Sequence, residues 1–444
     1  MMSKRNAHGA WLICAFASSL MLCFMLDVRS SLASPPVSSV SDAPPDVLTL
    51  DEAVRWALEN NPELAALRQQ HGIAAAGVVI AQTYPFNPVL ESRIQGAEGP
   101  LSGGITNRVP NEHLLFFTVE LFGQGEHRRR GASATLSRTD WEIAYQEQLA
   151  GVRVVRAFQG VLYRQQKYKL AQETIRLNEE GLKQVRQLAD QGKLRGADLL
   201  VASTEVDNVR RALGMDRAFL TTSHVEFQRA LGVVSGTFEL RGPKEYAPLH
   251  LDMDRLQQVA LEARADLHAR QAAVAEAEAR LRLERSDRFG NPVMGPAYTY
   301  DPSGVHSFGA QFNVPLPFYN VRRGEILQRQ AERDRAILDV RRTEVLVRQD
   351  VAAAIARLKD ARAWVETYKK EVLPNLQKSL DGIEKLFAEG DPGVDVVKVL
   401  DIRRKLLQAR DGYLDAVWEV TQAREDLAAA LGQPLLDILP KTAP

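Results

Sequence analysis

Side chains that catalyse reactions or hold metals act in sets, so their spacing along the chain is the first thing to test. Beyond His8 near the N-terminus, the histidines His71, His113, His127, His224, His250, His268 and His306 show no HxxH or HExxH spacing, the pattern that sets two imidazoles on one helix face around a zinc ion. There is no G-x-S-x-G nucleophile elbow and no phosphate-binding loop. The two cysteines, Cys14 and Cys23, lie near the N-terminus, so disulfides and thiolate sites are excluded from everything after them. The seven methionines and scattered histidines form no soft-ligand cluster. An enzyme is not expected, nor a metal centre, nor a cofactor. One basic run stands out, Arg128-Arg129-Arg130. It reads either as contacts to a membrane interface and its anionic headgroups or as the solvated start of a helix.

Charge and apolar content narrow the class. The 444 residues carry 56 Lys+Arg and 56 Asp+Glu, a balance that argues against a nucleic-acid partner. That length suits about three ordinary domains or one elongated unit. With 25% of residues charged, a bundle of membrane helices requires the apolar residues to be concentrated. They are concentrated once: Lys4 and Arg5 precede the apolar run Ala10 to Leu26, and Ser31-Leu32-Ala33 offers small residues for cleavage after Ala33. Residues 1–33 read as a secretory signal peptide, with an uncleaved anchor helix as the alternative. Lipid attachment at Cys23 is a further option, against which stands the bulky Leu22. Residues 34–47 form a Pro/Ser-rich linker.

The rest of the chain repeats itself. Leu48, Leu50, Asp51, Ala57, Leu58, Glu59 and Leu64 recur as Leu251, Met253, Asp254, Ala260, Leu261, Glu262 and Leu267, a constant offset of 203. Asn87-Pro88 recurs as Asn291-Pro292, and Leu231-Gly232 as Leu431-Gly432. Residues 48–235 and 236–434 are therefore two copies of one design, followed by a tail at 435–444. Each copy reads as helix, short extended region, long helix, tip and returning helix.

The helices are long. Apolar residues step by three and four through Tyr145, Leu149, Val152, Val155, Phe158 and Leu162, and a helix from about Gly131 to Asp190 spans roughly 90 Å. A heptad runs through Val399, Ile402, Leu406, Ala409, Tyr413, Ala416, Val420, Ala423, Leu427 and Ala430. Its first-half counterpart is Leu199, Ala202, Val206, Val209, Leu213, Asp216, Leu220, Ser223, Phe227 and Ala230. Seven-residue repeats make coiled-coil seams.

Between the helices the period changes to two. Leu115, Phe117, Val119 and Leu121 alternate with Leu114, Phe116, Thr118 and Glu120, and Phe308, Ala310, Phe312 and Val314 alternate with Ser307, Gly309, Gln311 and Asn313. Strands are expected at about 87–96 and 112–121, joined by a turn at Gly96 to Gly104, and at about 292–300 and 305–315, joined by a turn at Asp301 to Gly304. Two readings are open. Two small sheets cap a soluble helical rod, or strands of roughly 8–10 residues cross a bilayer. A bilayer admits strands only as a closed barrel, which four strands cannot form, whereas three chains would give twelve.

In their order and duplication these features resemble the TolC-like outer-membrane efflux proteins, from about Leu48 to Gly432. The opening LTLDEAVRWALENNPEL (Leu48 to Leu64) looks like the family's, as do the closing Leu231-Gly232 and Leu431-Gly432 and the tip GKLRGADLLVA, Gly192 to Ala202. The second tip, EGDPGVDVVKVLDI from Glu389 to Ile402, is a looser match with a lengthened turn. The resemblance implies a mainly α fold in which duplicated antiparallel coiled-coil helices build a trimeric α-barrel. Two β-hairpins per chain then contribute four strands to a trimeric twelve-stranded transmembrane β-barrel. It implies a homotrimer in outer-membrane lipid, acting as the passive exit duct of a tripartite efflux system with a long periplasmic extension. The partners would be a periplasmic adaptor (membrane fusion protein) and an inner-membrane transporter, the RND type favoured. An adaptor, or an elongated soluble coiled-coil scaffold, is the competing reading. Family members also ring their periplasmic entrance with acids just after the second tip, about 389–398. Asp401 matches one of these; Lys398 stands where another is expected, so either the ring is mixed or Asp395 takes over after the lengthened turn, with solvated tip charges as the competing reading. In the first tip, about 190–198, Gly192, Arg195 and Asp198 are expected to shape the turn and touch the adaptor, with Gly390 as their second-half counterpart; a cap of the returning helix is the alternative role of Asp198. Phe117, Val119, Phe308 and Phe312 are the expected lipid-facing strand residues. The substrate is not legible, although the two tips look more like those of the metal-efflux branch.

Overall fold

The computed structural model describes residues 44–45, 47–101, 104–192, 195–236, 238–242, 251–301, 303–389, 393–394 and 396–433. The leader, nearly all of the linker and the C-terminal tail lie outside them. The first half runs β1 (Val47–Thr49), α1 (Leu50–Asn60), α2 (Pro62–Gln82), β2 (Val89–Ile94), β3 (Ala97–Leu101), β4 (Gly104–Arg108), β5 (Asn111–Thr118), α3 (Gln124–Asp190) and α4 (Gly196–Leu231). The second runs β6 (Glu239–Arg241), α5 (Met253–Ala263), α6 (Ala265–Asp287), β7 (Val293–Tyr300), β8 (His306–Asn313), α7 (Arg323–Thr367), a π-turn at Tyr368–Val372, α8 (Leu373–Ala388) and α9 (Val396–Leu431).

The repeated opening motif folds as two short helices with a break between them. The Thr49 hydroxyl accepts from the Glu52 amide while the Glu52 carboxylate accepts from the Thr49 N–H at 2.8 Å, a complete capping box. Asn61 leaves the helix in an extended conformation and caps α2 at the Glu63 amide, 2.8 Å away. Pro62 takes the first helical position, where its missing N–H costs nothing. Arg264 breaks the second copy with nearly the same backbone angles, after Asp252 has capped α5.

The repeated Leu-Gly motif explains itself against these breaks. Gly232 ends α4 with φ 79°, and a Cβ there would lie 2.8 Å from Pro62 Cδ and 3.1 Å from Asn61. Gly432 ends α9 with φ 69°, pressed on Arg264 in the same way. Each long returning helix thus stops against the kink of its own half. The leucines beside these glycines are fully buried: Leu231 packs with Leu48, Phe158 and Phe227, and Leu431 with Leu256, Ile355 and Leu427. Burying one such side chain contributes about 1.5–3 kcal/mol.

The heptads are the buried stripes of their helices. Val399, Leu406, Ala409, Ala416, Ala423, Leu427 and Ala430 are all buried along α9, as are Val206, Ser223 and Phe227 along α4. The long first-half helix begins at Gln124, seven residues before the expected start at Gly131. Its second-half equivalent is interrupted. Pro374 lacks an N–H and clashes with a carbonyl one turn back, and the π-turn just before it absorbs the misfit, with the Leu373 amide reaching the Tyr368 carbonyl. Tyr368 in turn lies over Gly412 of α9.

The expected turn at Gly96 to Gly104 is not simply a turn. It contains β3 and part of β4, which pair from Ala97↔Arg108 to Leu101↔Gly104. The reason is that the first hairpin continues past a kink: the Gln95 amide still donates to the Pro110 carbonyl, while Pro110 can donate nothing back. Strands β2, β5, β7 and β8 form one sheet in that order, because β5 and β7 join the two hairpins.

Candidate functional site: the one-sided sheet and the helix tips

Cross-strand partners share a face, so the register sorts the sheet's side chains. Met294↔Phe312, Tyr298↔Phe308, Phe117↔Met294 and Leu90↔Leu115 put Phe308, Phe312, Met294, Phe117, Leu115 and Leu90 on one face. The opposite face carries Ser307, Gln311, Thr299, Glu91, Arg93 and Glu112, with Arg93 donating to Glu112 at 3.2 Å. Phe308 is 82% and Phe312 68% exposed in the single chain. Phe117, Phe308 and Phe312 therefore stand together, and Val119 lies just past the end of β5, its amide bonded to the Pro292 carbonyl at 2.9 Å. At the far end of the apolar face, Tyr300 and Tyr298 group with His306 at 4.9 and 6.1 Å. Strands β2 and β8 are the sheet's edges.

At the other end of the long helices, Asp401 points its carboxylate at Arg404 (2.7 Å) and Lys405 (2.8 Å) on its own helix. The Lys405 hydrogen bond, with Arg404 beside it, holds that carboxyl below the ordinary aspartate range. Lys398 does not meet Asp401: its ammonium donates to the Gly393 carbonyl at 2.6 Å and closes the tip turn. Gly192 opens the first tip just past the end of α3 with φ 70°, its amide bonded to the Ala189 carbonyl, and Arg195 beyond it is exposed. Asp395, Gly390 and the side chain of Asp198 lie outside the described residues.

The halves are stitched together along α3, and this is what the spacing arguments missed. Lys167, nearly buried, sits between Asp411 (2.6 Å) and Asp415 (2.7 Å) of α9, and the Tyr163 hydroxyl donates to Asp415 at 2.5 Å. Tyr163 stacks on Trp418 at 5.1 Å. Burial, reinforced by the Asp415 contact, pushes the Tyr163 phenol well above its usual value, and burial also raises Asp216 nearby. Two acids four residues apart on a heptad helix were the available signal, since they share one face. Nearer the sheet, Gln124 donates to Asn291 at 3.0 Å and Phe122 packs on Phe289 at 4.7 Å. Arg128 of the basic run is consumed by Glu120 at 2.6 Å and Arg130 by Glu126 at 2.5 Å.

No helix among the described residues is long and apolar enough to cross a membrane. The membrane-compatible surface is the sheet, while the long helices carry heptad seams and polar flanks. A helical conduit wall continuous with a one-sided sheet defines the class of TolC-like channels, whose α-barrel is extended by a β-barrel.

The comparisons agree. The outer membrane efflux protein family matches residues 53–233 and 256–433, and the chain belongs to that family. The cobalt-zinc-cadmium resistance protein CzcC of Cupriavidus metallidurans is 25% identical over 401 residues, which cover 87% of this chain and 90% of CzcC. Among solved structures, CusC superposes with a TM-score of 0.72 at 17% identity over 90% of this chain and 96% of that one. The outer-membrane channel OprN gives 0.71 at 17% identity, covering 87% and 90%. The chain is thus an outer-membrane efflux duct with a long periplasmic helical extension. The competing reading as an adaptor or soluble scaffold is set aside, and the family is one of channels.

Proposed function

We propose that three copies of this chain close the sheet into a twelve-stranded barrel embedded in outer-membrane lipid. In this reading the duct receives its substrate from an inner-membrane transporter of the RND type through a periplasmic adaptor. Conduction through it is passive, with no chemical step. One observation carries the reading: an apolar sheet face bounded by two edges, β2 and β8, that pair with no further strand among the described residues. Lipid accepts such a sheet only when neighbouring copies satisfy the edges.

The proposed substrate class is divalent metal cations, supported by near full-length alignment with a relative whose name carries cobalt, zinc and cadmium resistance. The gate of this reading is the second tip, with Asp401, Lys398 and Asp395 around the entrance. Asp401 supports it by staying ionised beside its basic neighbours. Gly192, Arg195, Asp198 and Gly390 are the proposed adaptor contacts, on tips that end the long helices. The test is fractionation followed by electrophysiology. A heat-modifiable trimer in detergent extracts of outer membranes, conducting in planar bilayers, is the expected result; a monomer released by osmotic shock would sink the proposal.

A further inference from the structure

The junction between sheet and helices carries an arrangement that conduction and gating leave unexplained. Directly after β8, Phe318 is 78% exposed and Tyr319 wholly so, with Leu316 and Val314 exposed before them. Phe289 and Phe122, also exposed, pack together at the same junction. One step further from the sheet come arginines. Arg288 lies 4.4 Å over the Phe289 ring, Arg285 is one turn back on α6, Arg323 opens α7, and Arg129 is on the second turn of α3.

Their neighbours show that these arginines are not part of the fold's own charge pairing. Arg128 is taken by Glu120, Arg130 by Glu126, and Arg322 by Glu284 at 2.6 Å and Asp287 at 3.8 Å. Among the described residues, no carboxylate lies within ion-pair distance of Arg129, Arg285, Arg288 or Arg323. All four are exposed. The order along the molecule is then apolar strand face, aromatic rim, unpaired guanidinium groups. A phospholipid presents the complementary order of acyl chain, glycerol ester and phosphodiester. Aromatic side chains favour the ester level of a membrane and basic ones the phosphate level.

We propose that this junction is a binding belt for anionic phospholipid of the leaflet facing the helices, with Arg129, Arg285, Arg288 and Arg323 holding the phosphodiesters and Phe318 and Tyr319 seated among the ester groups. The belt rests on the membrane-barrel reading above, and it assigns a role to the central arginine of the 128–130 run. Guanidinium groups pair bidentately with phosphate oxygens, so phosphatidylglycerol should be retained over phosphatidylcholine of equal chain length.

The full-length protein, purified in detergent, is mixed with equal amounts of dioleoylphosphatidylglycerol and dioleoylphosphatidylcholine and its bound lipids are counted by native mass spectrometry. Phosphatidylglycerol adducts are expected in clear excess. The excess should fall roughly fivefold for each arginine removed in Arg288→Gln and Arg323→Gln, and remain in Arg335→Gln, a change further along α7. Phe318→Ser with Tyr319→Ser should lower total lipid retention of both kinds. Glycerol phosphate added in excess should not compete, because the apolar contacts need acyl chains; competition would mean a free-phosphate site instead and overturn the belt. Equal adducts of the two lipids, or an excess that survives both arginine changes, would also overturn it. Conductance of the same preparations in planar bilayers separates the two ideas: a conducting trimer without lipid preference removes the belt alone, whereas absence of conductance removes the channel reading itself.

Discussion

The carbonyl oxygen of Leu115 occupies the place where a side chain on residue 295 would begin: a Cβ built on Gly295 lies 1.6 Å from it. The neighbouring Pro296 has no N–H for the ladder, so β5 buckles toward β7 at this point, between the pairs Leu114↔Ala297 and Phe117↔Met294. Since, among the described residues, β5 and β7 are the strands that join the two hairpins into one sheet, Gly295→Ala is expected to unzip the sheet. Most of the heat-modifiable trimer should be lost from outer-membrane extracts on gels. Gly309→Ala, where a Cβ meets nothing within 4 Å, should leave the trimer intact. Equal trimer yields from the two variants would refute this account of the junction.

The Leu-Gly endings make a paired prediction. Gly232→Ala forces a side chain into left-handed backbone and against Pro62, and Gly432→Ala does so against Arg264. Each should cost about 2–4 kcal/mol from conformational strain and overpacking together. Thermal melts followed by circular dichroism should show comparable losses for both, because the two seats are copies. A loss at one site only would mean that the halves are not mechanically equivalent.

Gly412 is a helical glycine whose replacement by alanine would ordinarily stabilise by about 1 kcal/mol. Here a Cβ would meet the Tyr368 hydroxyl at 2.6 Å and the ring carbon bearing it at 3.1 Å. Gly412→Ala should therefore lower the melting temperature, and Tyr368→Ala in the same chain should recover the helix gain. Additive effects in this double-mutant cycle would show that the tyrosine does not rest on the glycine.

Burial pushes the Glu425 carboxyl up to about 7, against the partial relief from Arg424 and Arg156. An acid whose pKa rises on folding holds its proton in the folded chain while the unfolded chain has released it, so stability falls as pH climbs from about 4.5 to 7. Glu425→Gln mimics the protonated form. It should match the parent at pH 4.5 and exceed it at pH 8, by on the order of 3 kcal/mol. Melting curves at the two pH values decide the matter, and a constant gap between the proteins would exclude Glu425 as the titrating group.

At the second tip, Asp401 is the local counter-charge for Arg404 and Lys405. Asp401→Ala should then do more than delete a carboxylate, because it releases two cations near the proposed entrance. Cation selectivity, read from reversal potentials in asymmetric salt, should fall, and Arg404→Gln in the same chain should restore part of it. An unchanged reversal potential in Asp401→Ala would take this residue out of the gate.

Much of this architecture is legible in the residues because it is periodic. The heptad from Val399 to Ala430 follows the buried stripe of α9, and the alternation from Ser307 to Asn313 follows the two faces of β8. Legibility ends where structure depends on a partner distant in sequence. The π-turn reflects Pro374 and the Gly412 seat acting together, and Lys167 looks like any solvated lysine until α9 brings Asp411 and Asp415 to it. The continuation of the first hairpin into β3 and β4 was hidden by the glycines and proline of that stretch, which signal a turn but tolerate a kinked ladder. At the tips the residue types could be read, but not that Lys398 would donate to the Gly393 carbonyl.

The unpaired edges β2 and β8 also carry a genetic consequence. In the proposed trimer each subunit supplies one edge to each neighbour, so a single defective β2 or β8 leaves a seam open in lipid whatever the other two copies do. In a cell expressing intact and edge-defective alleles equally, random mixing leaves only about one assembly in eight wholly intact. Edge mutations should therefore be dominant and poison efflux even beside a functional allele, whereas alleles that keep the subunit from folding should be recessive.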